Sequence, residues 1–408
     1  MDIAPIIAAL KRQKTAAALI AIEIALSCAI ICNVLFLITH RLERSHVPSG
    51  VVEDELVYIR TAGIGASGGD DPMVRAREDR AALASIPGVK SATIINQIPF
   101  GHSSWNTGVK LAADQQQTSA NVGAYYADEH MLDSFGVKLI AGRQFTSDEF
   151  LNFDDVLKGK SDPPSSMIIT KTLARRLFGD ENAIGKNIYL DDTKPTRVIG
   201  IVEHLIRPNF GSDLIDADSS MILPVRLSLG YGQFVLRTDP GNRDAVIAAA
   251  RKKLKEVSPN RIVLDAKTLE SARSDYFKQD RVMAGLLVAV VISLLIVTAL
   301  GIVGLASFWV QRRRRQIGIR RALGATRRQI LHYFQTENFL IVTVGIVIGM
   351  GAAYAISGWL MHQYELPRLP LYYLPVGAVA LWLLGQLSVL APALRAASVP
   401  PATATRTV

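Results

Sequence analysis

Four long apolar stretches punctuate this chain, and the polar residues between them set out its plan. Thr15–Thr39 comes first, Ala284–Val310 second, Phe339–Leu360 third and Tyr372–Leu394 fourth. The second runs 27 residues and the third 22 residues without one charged side chain. About 20 apolar residues suffice to cross a bilayer as a helix, so each stretch predicts a transmembrane span. The first is too long for a typical signal-peptide core, and no small-x-small cleavage site follows it. It is therefore expected to stay as an anchor.

Between the first two spans, residues 40–281 carry the mixed patterning of a folded domain. Near its start Glu55–Arg60 predicts a strand, and Asp71–Ile86 a helix with Asp71 as cap and Pro72 in the first turn. Pro87-Gly88 stops that helix, and Ser91–Ile98 reads as a second strand. The order recurs near the end: strand Gln233–Arg237, turn Pro240-Gly241, helix Asn242–Val257, strand Arg261–Asp265. Two βαβ halves at opposite ends predict a ferredoxin-like α+β layer split by an insertion. That insertion, 105–228, is strand-rich. Ser166–Thr170, Asn187–Leu190 and Arg197–Val202 bracket a helix at Lys171–Phe178. Ala266–Asp280 reads as a helix running straight towards the second span. The expected fold class is a four-helix membrane protein with a large extracytoplasmic α+β domain of two subdomains.

Charge then sets the orientation. Gln311–Arg328 (QRRRRQIGIRRALGATRR) holds eight arginines and no acid, nearly the whole formal net charge of +9. A short basic loop between two spans faces the cytoplasm. Residues 1–14, 311–336 and 395–408 are thus expected inside, with 40–281 and the loop 361–371 outside. The mean hydropathy of +0.24 averages four spans with a domain of ordinary character. Within the basic loop, Ile317, Ala322, Leu323 and Ala325 lie among the arginines and predict one amphipathic helix over Arg312–Arg328. Such a helix offers a surface to a cytoplasmic partner.

Inside the spans a few residues stand out. Gly345 and Gly349 have GxxxG spacing, which allows close helix approach within one subunit or across a dimer. Glu23 is the one acid in a span, where a carboxyl group is costly. It reads either as a polar contact across a dimer interface, to Ser293 or Thr298, or as a protonated or locally paired side chain with no role in transport. Cys28 and Cys32 lie one turn apart on one helix and cannot readily bridge without distorting it.

Motifs of catalysis are missing from the pattern. Gly179–Asn187 (GDENAIGKN) has five residues between its glycines where a phosphate loop has four, and Asn187 replaces the magnesium-binding Ser or Thr. The seven histidines form no zinc pair, and no nucleophile elbow occurs. Asp148-Glu149 and Asp154-Asp155 read as solvated loop charges. Eight arginines would also suit a nucleic acid, but a loop tethered by a span at each end does not. The chain is expected to be no enzyme, with neither cofactor nor metal of its own.

The segment RRRRQIGIRRALGATRRQILHYFQTE resembles the signature of the FtsX/MacB-like permeases, membrane subunits of one class of ABC transporter. The matching positions are Ile317, Gly318, Ile319, Arg320, Arg321, Ala322, Leu323, Gly324, Ala325 and Glu337. The order of one span, a large external domain and three further spans is similar too. Tyr125–Phe145 resembles the stretch ending in the family's Gly-Arg-x-Phe, and Lys171–Val202 the run that follows. Pro392-Ala393-Leu394-Arg395-Ala396-Ala397 with Pro400 looks like the family's exit from the last span. One position departs: Gln316 stands where the family usually has a glutamate, removing a charge at an expected subunit contact.

The resemblance implies a mechanism without a tunnel through this subunit. A second permease copy or a related permease would pair with it in the lipid bilayer of the cell inner membrane. A cytoplasmic ABC ATPase dimer holding ATP and Mg would dock on Gln316, Ile317, Gly318, Arg320, Arg321, Leu323, Gly324, Ala325, Arg327 and Arg328. Its closure would shift the spans and move the external domain. The implied output is efflux with a periplasmic adaptor and outer-membrane channel. Lipoprotein release and control of cell-wall hydrolases are alternatives. A membrane-anchored sensor or scaffold is a further class, though one span after the domain would serve it.

Overall fold

Among the described residues, four helices are long and apolar enough to cross a membrane: Lys14–Ser45, Lys278–Arg312, Arg327–Tyr364 and Tyr373–Ala397. The computed structural model describes residues 14–62, 71–190, 194–210, 214–228, 230, 232–259, 261–364 and 369–398. It divides into two units, one of residues 1–45 with 279–408 and one of residues 46–278.

In the first unit the four long helices share one apolar core around Ile24, Cys28, Cys32, Ile302, Val342, Ile346, Ala378 and Leu381, to which the second contributes with one end. Small residues let the backbones approach. A Cβ on Gly345 would lie 2.8 Å from the Ala21 carbonyl oxygen, and one on Gly349 2.6 Å from the Cys28 Cβ. Both glycines of the GxxxG pair therefore face the first span of the same chain. Amide side chains tie the helices further: Asn33 Nδ2 donates to the Ala353 carbonyl at 3.1 Å, and Asn338 Nδ2 to Gly385 at 2.9 Å. The second long helix is different. It buries Ala284, Thr298, Ile302, Ala306 and Trp309, and leaves Leu286, Val290, Val297 and Leu300 exposed.

The second unit contains two sheets. The smaller has β1 (Leu56–Ala62), β2 (Val89–Ile95), β11 (Gln233–Thr238) and β12 (Ile262–Thr268) in the order β12-β1-β11-β2, every neighbouring pair antiparallel. Helix Pro72–Ala84 connects β1 to β2, and helix Arg243–Val257 connects β11 to β12. This is the ferredoxin-like arrangement that the two βαβ halves predict. As expected, Asp71 caps the first helix, accepting from the Met73 amide at 2.9 Å. Both faces of β1 are covered: Val57 and Ile59 pack with the helices, Leu56 and Tyr58 in a second cluster with Ile95, Val235 and Leu269.

The larger, eight-stranded sheet is built from the chain between β2 and β11. Its strands are β3 (Asn106–Val109), β4 (Ala120–Ala127), β5 (Leu139–Gly142), β6 (Leu151–Asn152), β7 (Ser166–Thr170), β8 (Asn187–Tyr189), β9 (Pro195–Val202) and β10 (Ser220–Arg226). The order is β3-β4-β10-β7-β9-β5, with β6 on β10 and β8 on β9. Pairing is mixed, with β4 parallel to β10 and β7 parallel to β9.

Three expectations need correction. The strand predicted over Ser91–Ile98 ends at Ile95, because the buried Asn96 and Gln97 turn their amides to the Ala124 carbonyl at 2.8 and 3.0 Å. Ala266–Asp280 is not one straight helix. β12 continues to Thr268, whose hydroxyl caps a helix Leu269–Tyr276, and buried Phe277 separates that helix from Lys278–Arg312. Its ring packs against Phe100 and Phe210, which fixes the break. Glu149 is no free solvated charge either, since Arg143 and Thr146 engage it.

Candidate functional site

The basic segment forms two pieces rather than the single helix expected over Arg312–Arg328. The second long helix ends at Arg312, and Arg313 leads into a short helix Arg314–Ala322. Leu323 closes it, and Gly324 takes a positive φ of 95°, a conformation that costs glycine little. Amides of Gly324 and Ala325 return to the carbonyls of Arg321 and Arg320 at 3.2 and 3.0 Å. Thr326 and Gln329 then start the next helix. Thr326 N donates to Gln329 Oε1 at 2.9 Å, and Gln329 N to the Thr326 hydroxyl at 3.3 Å. This reciprocal cap stops the first helix from running on into the second.

The inner face of the short helix is anchored. Ile317 packs with Ile330, Phe334, Ala393, Ala396 and Ala397 from the bases of the third and fourth long helices. Gly318 is buried beside it. Arg321 Nη1 donates to the Ala397 carbonyl at 3.0 Å, and the Arg320 guanidinium lies over the Tyr333 ring. Arg313 Nη1 donates to both oxygens of Glu337, whose side chain is 1% exposed. Sequence reasoning did not single out Arg313. The available signal was Glu337, the one acid after eight arginines and next to an apolar stretch.

The outer face carries the remaining residues of interest. Leu323 is 83% exposed, Ile319 is 46% exposed, and Gln316, Arg320, Gly324, Arg327 and Arg328 are exposed with them. Ala325 is half-buried. A groove of about 140 Å³ runs between the short helix and the third long helix, with Gln316 and Arg320 on one side and Gln329 and Tyr333 on the other.

The remaining residues singled out in the spans lie apart from this surface. Gly345 and Gly349 meet the first span. The Glu23 carboxylate lies over Gly301 of the second, where a Cβ would be 2.6 Å from either oxygen. Within the chain its expected partners are engaged elsewhere. Thr298 is hydrogen-bonded to Ser27 at 2.8 Å, and Ser293 donates to the Ala289 carbonyl.

Residues 15–254 match the family described as MacB-like periplasmic core domain, and residues 288–401 the FtsX-like permease C-terminal family. The chain is similar to YknZ of Bacillus subtilis, described as an uncharacterised ABC transporter permease. The two are 25% identical over 337 residues, covering 79% of this chain and 78% of that one. A second B. subtilis permease described as uncharacterised, YvrN, is 22% identical and covers 90% of this chain and 89% of its own length. The macrolide export ATP-binding/permease protein MacB of Chromobacterium violaceum is 28% identical over 54% of this chain. The match spans 33% of MacB, about a third of its length.

Proposed function

The chain belongs to the FtsX/MacB-like family of ABC transporter permeases, and from that premise we propose that it couples ATP hydrolysis by a separate cytoplasmic ATPase to movement of its large periplasmic domain. The observation that carries this reading is Leu323. It is an exposed apolar side chain at a tight glycine turn, with Arg320 and Arg321 before it and Arg327 and Arg328 after it in the chain, on a helix whose inner face is anchored to the bases of the third and fourth long helices. Apolar anchors at the centre of a charged rim are what docking surfaces use. ATP and Mg would be held by the partner. The exposed length of the second long helix suits a second permease copy, or a related permease, in the surrounding lipid.

The output favoured by the MacB-like core domain is efflux with a periplasmic adaptor and an outer-membrane duct. The basic linker between the second and third spans supports an inner-membrane orientation with both terminal segments on the cytoplasmic side. The test is reconstitution in lipid with an ABC ATPase that co-purifies with the chain. Stimulated hydrolysis that depends on this chain is expected. An ATPase that neither binds nor responds would overturn the coupling reading.

A further inference from the structure

In the periplasmic domain, one stripe of helix Pro72–Ala84 borders a cavity of about 460 Å³. That size lies within the roughly 300–1,000 Å³ of small-molecule sites. Met73, Ala76, Arg77 and Arg80 recur at helical spacing and so share one face of the helix. Met73 and Ala76 are buried and, with Ile94 of β2 and Leu227 after β10, give the cavity an apolar floor. The loop Asp128–His130 and Arg226 complete its lining.

The charges of this cavity do not cancel. Asp128 is committed to its own surroundings, accepting from the Thr93 hydroxyl and from the amides of Ile94 and His130. Glu129 is committed to Arg226, whose Nε donates to it at 2.8 Å. Asp79 points to the other side of the helix and pairs with buried Arg261. Among the described residues, Arg77 and Arg80 have no acid partner. Two unpaired guanidinium groups thus border an apolar floor, next to His130.

We propose that this cavity binds a small amphipathic anion. Its carboxylate or sulfonate group would sit on Arg77 and Arg80, and its apolar body over Met73, Ala76, Ile94 and Leu227. Guanidinium forks bind such oxyanions through paired, charge-assisted hydrogen bonds, and a concavity of about 460 Å³ matches the size of a small-molecule site. The inference is independent of ATPase coupling.

Isothermal titration of the full chain in lipid nanodiscs, referenced to empty discs, tests it. The probes are naphthalene-2-sulfonate and its uncharged counterpart 2-naphthol. The sulfonate is expected to bind saturably, and to weaken as salt rises. The variant Arg77→Gln/Arg80→Gln should lose about tenfold or more in affinity. Lys252→Gln, a surface charge on the other helix, should leave binding unchanged. Arg77→Gln alone, at an exposed position, supplies a milder version of the same loss if the double variant folds poorly. No saturable sulfonate binding, equal affinity for 2-naphthol, or an unaltered affinity in the arginine variants would each overturn the proposal.

Discussion

Arg313 grips Glu337 through a single nitrogen, Nη1, which lies 2.9 and 2.7 Å from the two carboxylate oxygens. The pair joins the end of the second long helix to the third, across the basic linker. Removing one partner of a buried pair leaves an uncompensated charge and costs about 3–5 kcal/mol. Arg313→Met or Glu337→Gln is therefore expected to lower thermal stability markedly. The double variant Arg313→Met/Glu337→Met should recover most of it, because apolar replacement of both partners is often neutral. A thiol-reactive dye reads this directly, since the chain's two cysteines, Cys28 and Cys32, are buried in the first span. If the single variants melt with the parent, the pair is not what fastens the linker.

Gly345 and Gly349 touch the first span too closely to accept a side chain. Gly345→Ala and Gly349→Ala should each destabilise the bundle by about 1–3 kcal/mol, the range for overpacking. Gly351→Ala is the control, because a Cβ there meets no atom within 4 Å. The same dye assay should rank the three variants. Since the contact is internal, the oligomeric state is expected to be unchanged, and a change of oligomer without loss of stability would contradict the assignment.

Glu23 faces the backbone of Gly301 rather than a hydroxyl partner within the chain. Glu23→Gln retains the shape and hydrogen-bonding capacity and should retain coupled ATPase activity. Glu23→Leu should reduce assembly or coupling. A leucine variant that assembles and turns over like the parent would make the carboxylate a tolerated passenger.

Acid should weaken the periplasmic domain partly through Glu149. The Arg143 guanidinium first, then the Thr146 amide and hydroxyl, hold its carboxyl at about 2 against an ordinary 4.5. Because the folded value is the lower one, the stabilisation is complete above the unfolded value and is lost as pH falls from 4.5 towards 2. Glu149→Gln should be less stable than the parent near neutral pH and converge with it in acid. Denaturant unfolding across that window measures the difference, and parallel curves would contradict the assigned role.

Much of this architecture was legible because it rests on local pattern. Uncharged runs mark the spans, and β1 with its helix and β2 reads from capping by Asp71 and the Pro87-Gly88 stop. What stayed hidden depends on partners distant in sequence. The parallel pairing of β4 with β10 joins segments about a hundred residues apart, and nothing in Ala120–Ala127 names its neighbour. Arg313 looks like Arg312, Arg314 and Arg315 around it until Glu337 is placed beside it. The break at Gly324 did have a local signal, the Thr326/Gln329 cap, which the run of arginines obscured. The break at Phe277 had a weaker one, since an aromatic residue between two helical patterns does not reveal the cluster that receives it.

The central claim is that the turn carrying Leu323 transmits the ATPase cycle, and the direct measurement is ATP hydrolysis by the reconstituted complex. Leu323→Asp places a charge at the exposed apolar tip. Gly324→Leu strains a positive φ at an exposed position where a Cβ meets no atom within 4 Å, so both variants should insert and fold. The account predicts that each loses chain-dependent stimulation by about tenfold or more, the usual cost of removing an anchor at the centre of an interface. Stimulation equal to the parent's in both variants, with the complex intact, would contradict it.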